Sequence, residues 1–411
     1  MNTKKIFHGY VIVFACLCAI TGSFAADSSP DQNIDIPSVK KIRVLLDEKS
    51  AQKETKLLIK SKEGFVLESP AGSGNTAIYR DNELRLVCRE GQLYLKCHDQ
   101  KYRHIKYDSI EICDQNNKLT LGSRAYQGNL ILRVNRATKT LLTINKLPLE
   151  DYVYSVVRYE GIPSWPLGMQ KIQAIISRTY AVFLMQQARL KNPRYRFYDI
   201  KNTNLHQVYN GTHNYTHLRQ AVKETEGLIL TYKNRIALAM FDICCGGSVP
   251  ALMRNRDKSK PYLCRKKKCT FCSAGPAHRW KEDLHVDTFL KRLKNNPRIS
   301  QRLKNFKGSL SAIKVTDCDK AGVVHKVRIY DKHKTPFTLT GIDIRGSMIA
   351  DIKSLNFVAK KVRDRVVFTG KGYGHQCGAC QWGCKWMVEN GWSTKGILGF
   401  YYPGTKLSRL L

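Results

Sequence analysis

Glu160 stands three and four residues after Val157 and Val156, so a helix running through Leu149, Val153, Val156 and Val157 carries its carboxyl on the apolar stripe. Gly161 and Pro163 end that helix, which places Glu160 at its negative end. Partial desolvation and the partial negative charge of the helix terminus both raise a carboxyl pKa. A carboxyl that keeps its proton near neutral pH can protonate a leaving oxygen, such as that of a glycosidic bond. A glutamate at a helix end is, taken alone, more often a solvated or ion-paired residue. Ordinary glycosidases set two carboxylates across one bond, but Glu150 and Asp151 lie nine and ten residues back, roughly 14 Å along a helix axis. A one-carboxylate mechanism is the simplest local reading, with a second acid from elsewhere in the fold left open.

The cysteines are the second chemical feature. There are 14, of which Cys16 and Cys18 fall in an N-terminal leader, leaving an even number in the rest of the chain. Cys264, Cys269 and Cys272 have C-x4-C-x2-C spacing, and Cys244 or Cys245 would complete a tetrahedral zinc set. In an oxidising compartment the same residues would instead form disulfides, and disulfides are the favoured expectation. Any zinc here would be structural, because acid chemistry at Glu160 requires no cofactor. Cys88 and Cys97 end two alternating runs joined by Arg89-Glu90-Gly91-Gln92 and are expected to face each other across a hairpin.

The elements that position these groups read as α+β. From Ile36 to about Asn145 short alternating strands are broken by Gly and Asn turns, with Ala71-Gly72-Ser73-Gly74-Asn75 the clearest loop. At Leu147 the period becomes helical: Pro148 suits a first turn, and Glu150 and Asp151 favour its positive end. A second helix follows Trp165-Pro166, with Arg178 on a face of small residues. Strands are expected over Leu228 to Thr231, Ile236 to Phe241, Val323 to Ile329 and Arg365 to Phe368. Helical character is expected over Val286 to Phe306, and Gln381 to Asn390 reads as one last helix. The expected organisation is a signal peptide over 1–26, a β-rich region over 27–145, and a mixed catalytic core with a groove over 146–411.

Lys4 and Lys5, an apolar run from Tyr10 to Ile20 and small residues up to Ala26 have the order of a secretory signal, cleaved near Ala25 or Ala26. An uncleaved anchor is the rival, although the run is shorter than the roughly 20 residues of a membrane span. The net charge is +36, which calls for an anionic partner or surface. Export argues against nucleic acid, whereas cell-wall polymers bearing carboxylates and phosphates fit both facts. A merely solvated basic surface is the blander reading, since Lys and Arg are spread along the chain.

Two blocks carry a family resemblance. Leu147-Pro148-Leu149-Glu150-Asp151-Tyr152-Val153, Glu160, Pro163-Ser164-Trp165-Pro166 and Gln173 to Ala181 resemble the catalytic segment of the stage II sporulation protein D family. Gly370 to Gly383, followed by Tyr401-Tyr402-Pro403-Gly404-Thr405, resembles that family's C-terminal signature. The resemblance implies an exported peptidoglycan lytic transglycosylase, periplasmic or envelope-associated, which acts on denuded glycan strands in concert with a wall amidase and leaves an anhydro-muramyl end. It implies Glu160 as the catalytic residue and substrate-binding roles for Arg178, His375, Gln381 and Tyr402. A structural ion pair is the other reading of Arg178. Trp382 would line the sugar groove with His375 or sit in the core.

This chain departs from the family pattern at Gln376, Cys377 and Cys380, where Gly, an aliphatic residue and Ser or Thr are more usual. Phe241 to Gly247 resembles a strand end at which some members place a zinc-binding His and Cys, and Asp242 occupies the His position. The rival functions are an inactive peptidoglycan-binding module that keeps the groove and the basic surface, and, if the leader were uncleaved and the chain cytosolic, a nucleic-acid-binding protein.

Overall fold

A computed structural model describes residues 40–69, 76–96, 101–191, 197–203 and 206–410. The signal segment, the loop at 71–75 and Cys97 lie outside these residues. The chain is mixed α+β and divides into two compact units, one built from 40–164, 173–229 and 409–410, the other from 165–172 and 230–408.

In the first unit a seven-stranded sheet runs in the order Ile200–Lys201, Lys41–Ser50, Thr140–Pro148, Asn129–Asn135, Ser109–Cys113, Phe65–Glu68 and Thr76–Tyr79. A six-stranded sheet runs Arg124–Gln127, Lys118–Leu121, Thr55–Lys60, Glu83–Arg89, Gln92–Lys96 and Tyr102–Ile105. Period-two alternation is why both form: Leu130, Leu132 and Val134 of one strand and Leu84, Leu86 and Cys88 of another point into a single apolar core. Glu90 and Gly91 both take positive φ, 51° and 74°. They make a two-residue hairpin turn of the kind that matches strand twist. The turn sets Cys88 opposite Leu93, which corrects the expected pairing with Cys97: Cys88 ends its run beside the turn, where only the first residue of the returning run can face it.

Strand Thr140–Pro148 feeds directly into α1 (Leu149–Glu160). Pro148 precedes its first residue with φ −56°, a value the ring favours, and Glu150 and Asp151 sit in the first turn. Helix α2 (Leu167–Lys191) begins after Trp165-Pro166, and α3 (Thr216–Glu224) follows. Asp151 pairs with Arg219 of α3 at 3.1 Å, and the Arg219 guanidinium lies 3.8 Å from the Tyr154 ring centroid.

The second unit holds two antiparallel three-stranded sheets. One runs Arg279–His285, Arg365–Lys371, Phe357–Val362 and the other Ala312–Cys318, Val324–Tyr330, Pro336–Thr340. Together with α4 (Val286–Lys294) and α5 (Gly341–Ser347) they share a core that includes Phe289, Leu293, Val327, Ile329, Ile344 and Phe368. The helical stretch expected from Val286 to Phe306 stops at Lys294, ahead of Pro297, and resumes as a short 3-10 turn at Ser300–Leu303. The strand expected from Ile236 to Phe241 survives only at its ends, as Arg235–Ile236 and Phe241–Asp242. Between them backbone groups bond to loops and side chains, with Leu238 N–H on Tyr262 Oη and the Met240 carbonyl accepting from Tyr402 Oη.

Helix α6 (Gln381–Glu389) is followed by α7 (Thr394–Tyr401), so the expected last helix is the penultimate one. Two glycines at 396 and 399 mute the signal of α7, but Ser393 caps it by accepting from Gly396 N–H at 3.1 Å. No helix among the described residues is long and apolar enough to cross a membrane.

Candidate active site

Glu160 is the last residue of α1, and its surroundings go beyond the partial desolvation expected of it. The residue is 2% exposed, on the face that also buries Tyr152, Val153, Val156 and Val157. Its Oε1 accepts the Val208 N–H at 2.5 Å. Burial pushes the carboxyl up to about 8, against the opposing effect of that backbone donor. At neutral pH Glu160 therefore holds its proton.

The other two acids of α1 are engaged elsewhere. Asp151 is on Arg219, and Glu150 is held side by side with Arg178, Nε to Oε1 at 2.8 Å and Nη2 to Oε2 at 2.5 Å. Arg178 is fully buried, and its Nη1 donates to the Leu228 carbonyl at 3.1 Å. Glu150 Oε1 also accepts from Gly227 N–H at 3.3 Å. The guanidinium thus joins α1, α2 and the start of the strand Leu228–Tyr232.

The Gly-rich C-terminal segment is organised around Asp242, whose sequence signal is only that it stands where some family members have a histidine. Phe241–Asp242 and Ala379–Cys380 form a two-stranded parallel sheet with Asp242 opposite Cys380. The buried Asp242 carboxylate accepts His375 N–H at 2.8 Å and Cys377 N–H at 3.1 Å. Burial raises its pKa well above the usual range, opposed by those donors. Only glycine fits at 374, where φ is +129° and a Cβ would stand 2.0 Å from Asp242 Oδ1.

His375 Nδ1 shares the Cys377 N–H with Asp242 Oδ2, each at 3.1 Å, and stands 3.3 Å from Asp242 Oδ1. Burial and, to a lesser degree, the Arg345 charge lower His375 to about 3. The ring is neutral at neutral pH. Tyr402 is fully buried, its hydroxyl donating to the Met240 carbonyl at 2.6 Å and accepting from Ala379 N–H at 3.2 Å. Gln381 is buried as the first residue of α6. Trp382 is partly exposed and meets Trp165 edge-on at 5.2 Å between centroids.

The structure brings together Cys245, Cys269, Cys272 and Cys380, all buried, with sulfurs within 4.8 Å of one another. This grouping differs from the expected set in including Cys380 and leaving out Cys264. Cys264 lies apart, its sulfur near the Asp257 and Lys260 carbonyls, and Cys244 groups with Cys272 and His278. Hydrogen bonding from the Cys245 thiol lowers Cys269, and that from Cys244 is the largest of several lowering Cys272. All eleven described cysteines are free thiols. The signal for Cys380 was its departure from the family pattern; its distance along the chain from the C-x2-C pair hid the association.

Fold and site define a mixed α+β protein with a buried, protonated carboxylic acid at a helix end and an acid-organised glycine loop. Residues 137–232 match the family model described as Stage II sporulation protein, and residues 253–378 match a domain of unknown function. An uncharacterized protein of Brachyspira hyodysenteriae is 30% identical over 293 residues, 70% of this chain and 73% of that protein. Stage II sporulation protein D of Bacillus subtilis is 28% identical over 279 residues, 65% of this chain and 76% of that protein. The amidase enhancer of Bacillus subtilis is 27% identical over 334 residues, 71% of this chain but 45% of that protein. The chain belongs to the stage II sporulation protein D family.

Proposed function

We propose that this chain is an exported lytic transglycosylase that cleaves peptidoglycan glycan strands with Glu160 as both acid and base. Family membership supports a cell-wall-related role, and the relative named amidase enhancer supports a functional link to a wall amidase. The observation that carries the chemical step is the burial of the Glu160 carboxyl at the end of α1, which pushes it up to about 8. Protonated Glu160 gives its proton to the leaving glycosidic oxygen as the bond to the muramyl anomeric carbon breaks. The resulting carboxylate takes the proton of the muramyl C6 hydroxyl, whose oxygen closes on the anomeric carbon to leave the anhydro ring. The carboxyl returns to its starting state and no water is consumed. With Asp151 and Glu150 both in ion pairs, one carboxyl serving both transfers is the economical assignment.

The same burial favours the second reading, a wall-binding module without turnover, because a sugar must first displace what covers a carboxyl that is 2% exposed. Incubation with amidase-treated sacculi and mass spectrometry of released sugars separates the two. Anhydro-muramyl products from wild type, lost by at least a hundredfold in Glu160→Gln with the fold intact, are expected. Release by the variant within a few fold of wild type would place the acid elsewhere, and binding with no products from wild type would establish the module.

A further inference from the structure

The position at which some members of the family place a zinc-binding histidine is Asp242 here, and its carboxyl group is occupied by the N–H groups of His375 and Cys377. That position does not fit a metal ligand in this chain. The four buried cysteines do. Cys245 and Cys272 sulfurs are 3.8 Å apart, and a tetrahedron of thiolates at the zinc–sulfur distance of about 2.3 Å has edges of about 3.8 Å.

Around the sulfurs lie the hydrogen-bonding groups that a thiolate site needs. Cys245 N–H points at Cys380 Sγ at 3.2 Å. Tyr401 Oη lies 3.2 Å from Cys269 Sγ and His278 Nδ1 3.4 Å from Cys272 Sγ. Cys269 and Cys272 supply the C-x2-C knuckle, while Cys380 comes from the parallel strand pair, opposite Asp242, and Cys245 from the turn that follows Phe241–Asp242. Four thiols packed together without an ion bury four weakly bonded groups, whereas one divalent ion turns them into a covalent-strength crosslink.

We propose that Cys245, Cys269, Cys272 and Cys380 are the four ligands of one structural zinc ion. The ion ties the turn after Phe241–Asp242, the basic segment around residues 264–272 and the start of α6 into one body, and so fixes the loop that carries His375. It takes no part in bond cleavage.

The test uses the mature full-length chain purified without chelator. Elemental analysis should find about one zinc per chain, and a mercurial thiol reagent should release it in step with four thiols. Growth in cobalt should give the intense visible bands of tetrahedral cobalt thiolate. Cys264→Ser should retain the metal, whereas Cys380→Ser should lose it or bind it at least tenfold more weakly. If Cys380→Ser does not fold, the thiol titration and cobalt spectrum of wild type decide. Disulfide-linked peptides among these four residues, absence of metal after refolding with zinc, or equal metal loss in Cys264→Ser would each overturn the assignment.

Discussion

Arg178 and Glu150 face each other through two parallel hydrogen bonds, at 2.8 and 2.5 Å, with the arginine fully buried and the glutamate side chain 29% exposed. A sugar would have to compete with that carboxylate for the guanidinium. The geometry therefore favours a role in holding α1 against α2, which in turn sets where Glu160 lies. Arg178→Met should lower stability by about 3 kcal/mol, the lower end of the range for a broken buried pair because Glu150 reaches solvent. Arg178→Lys should recover only part, since an ammonium cannot make both bonds. Urea unfolding checks this, and a raised KM with an unchanged midpoint would instead return Arg178 to the substrate.

The raised pKa of Glu160 predicts how rate depends on pH. An acid of pKa about 8 keeps the proposed rate level through neutrality and loses it about tenfold per unit above that value. Because the base is the same carboxyl after it has given up its proton, the descending limb should stand alone. A two-carboxylate mechanism would give a bell, so an acidic limb in kcat that belongs to a second carboxyl counts against the single-residue assignment.

Stability should report the same group with a definite sign. The folded state holds the Glu160 proton up to about 8 and an unfolded chain releases it near the ordinary 4.5. The contribution is fully present below 4.5 and is lost as pH rises toward 8. Glu160→Gln cannot ionise, so it should match wild type near pH 4 and exceed it by a few kcal/mol near pH 8. Thermal melts of both proteins across this range measure the difference, and parallel curves would show that the carboxyl is not held neutral.

What the sequence revealed follows the range of the interactions. Pro148, Glu150 and the Val153, Val156, Val157 stripe act within a few turns, and α1 lies at Leu149–Glu160 between the expected Pro148 and Gly161 boundaries. The turn at Tyr232-Lys233-Asn234-Arg235 was equally local, with Lys233 and Asn234 at φ 48° and 59°. The carboxyl of Glu160 could be placed on the apolar face, but not its bond to Val208. Asp242 carried no local mark, since its partners His375 and Cys377 reach it only through parallel strand pairing. The same pairing brings Cys380 beside Cys245, which spacing rules for short metal motifs do not capture.

Asp242 should therefore behave as the keystone of the glycine loop. Asp242→Asn puts an amide NH2 against one of two backbone N–H groups that now meet carboxylate oxygens, at a cost of about 1–3 kcal/mol. Gly374→Ala should cost at least as much, because it adds both the clash with Asp242 Oδ1 and a side chain at φ +129°. Denaturant midpoints test both. An Asp242→Asn protein as stable as wild type would mean that the carboxylate is not what holds His375 in place.

Charge should govern retention on the wall. The net charge is +36, and Lys266, Lys267 and Lys268 form an exposed run next to the cysteine cluster. Exposed charges are screened within about 8–10 Å at physiological ionic strength, so retention on isolated sacculi should fall steeply with added salt. Replacing Lys266, Lys267 and Lys268 together with serine should lower the salt needed for elution without altering the melt, since none of the three is buried. Glu160→Gln should elute with wild type, because a carboxyl that is neutral at this pH adds nothing to the surface field. Retention indifferent to salt would assign wall binding to groove contacts and leave the basic surface as a solvated one.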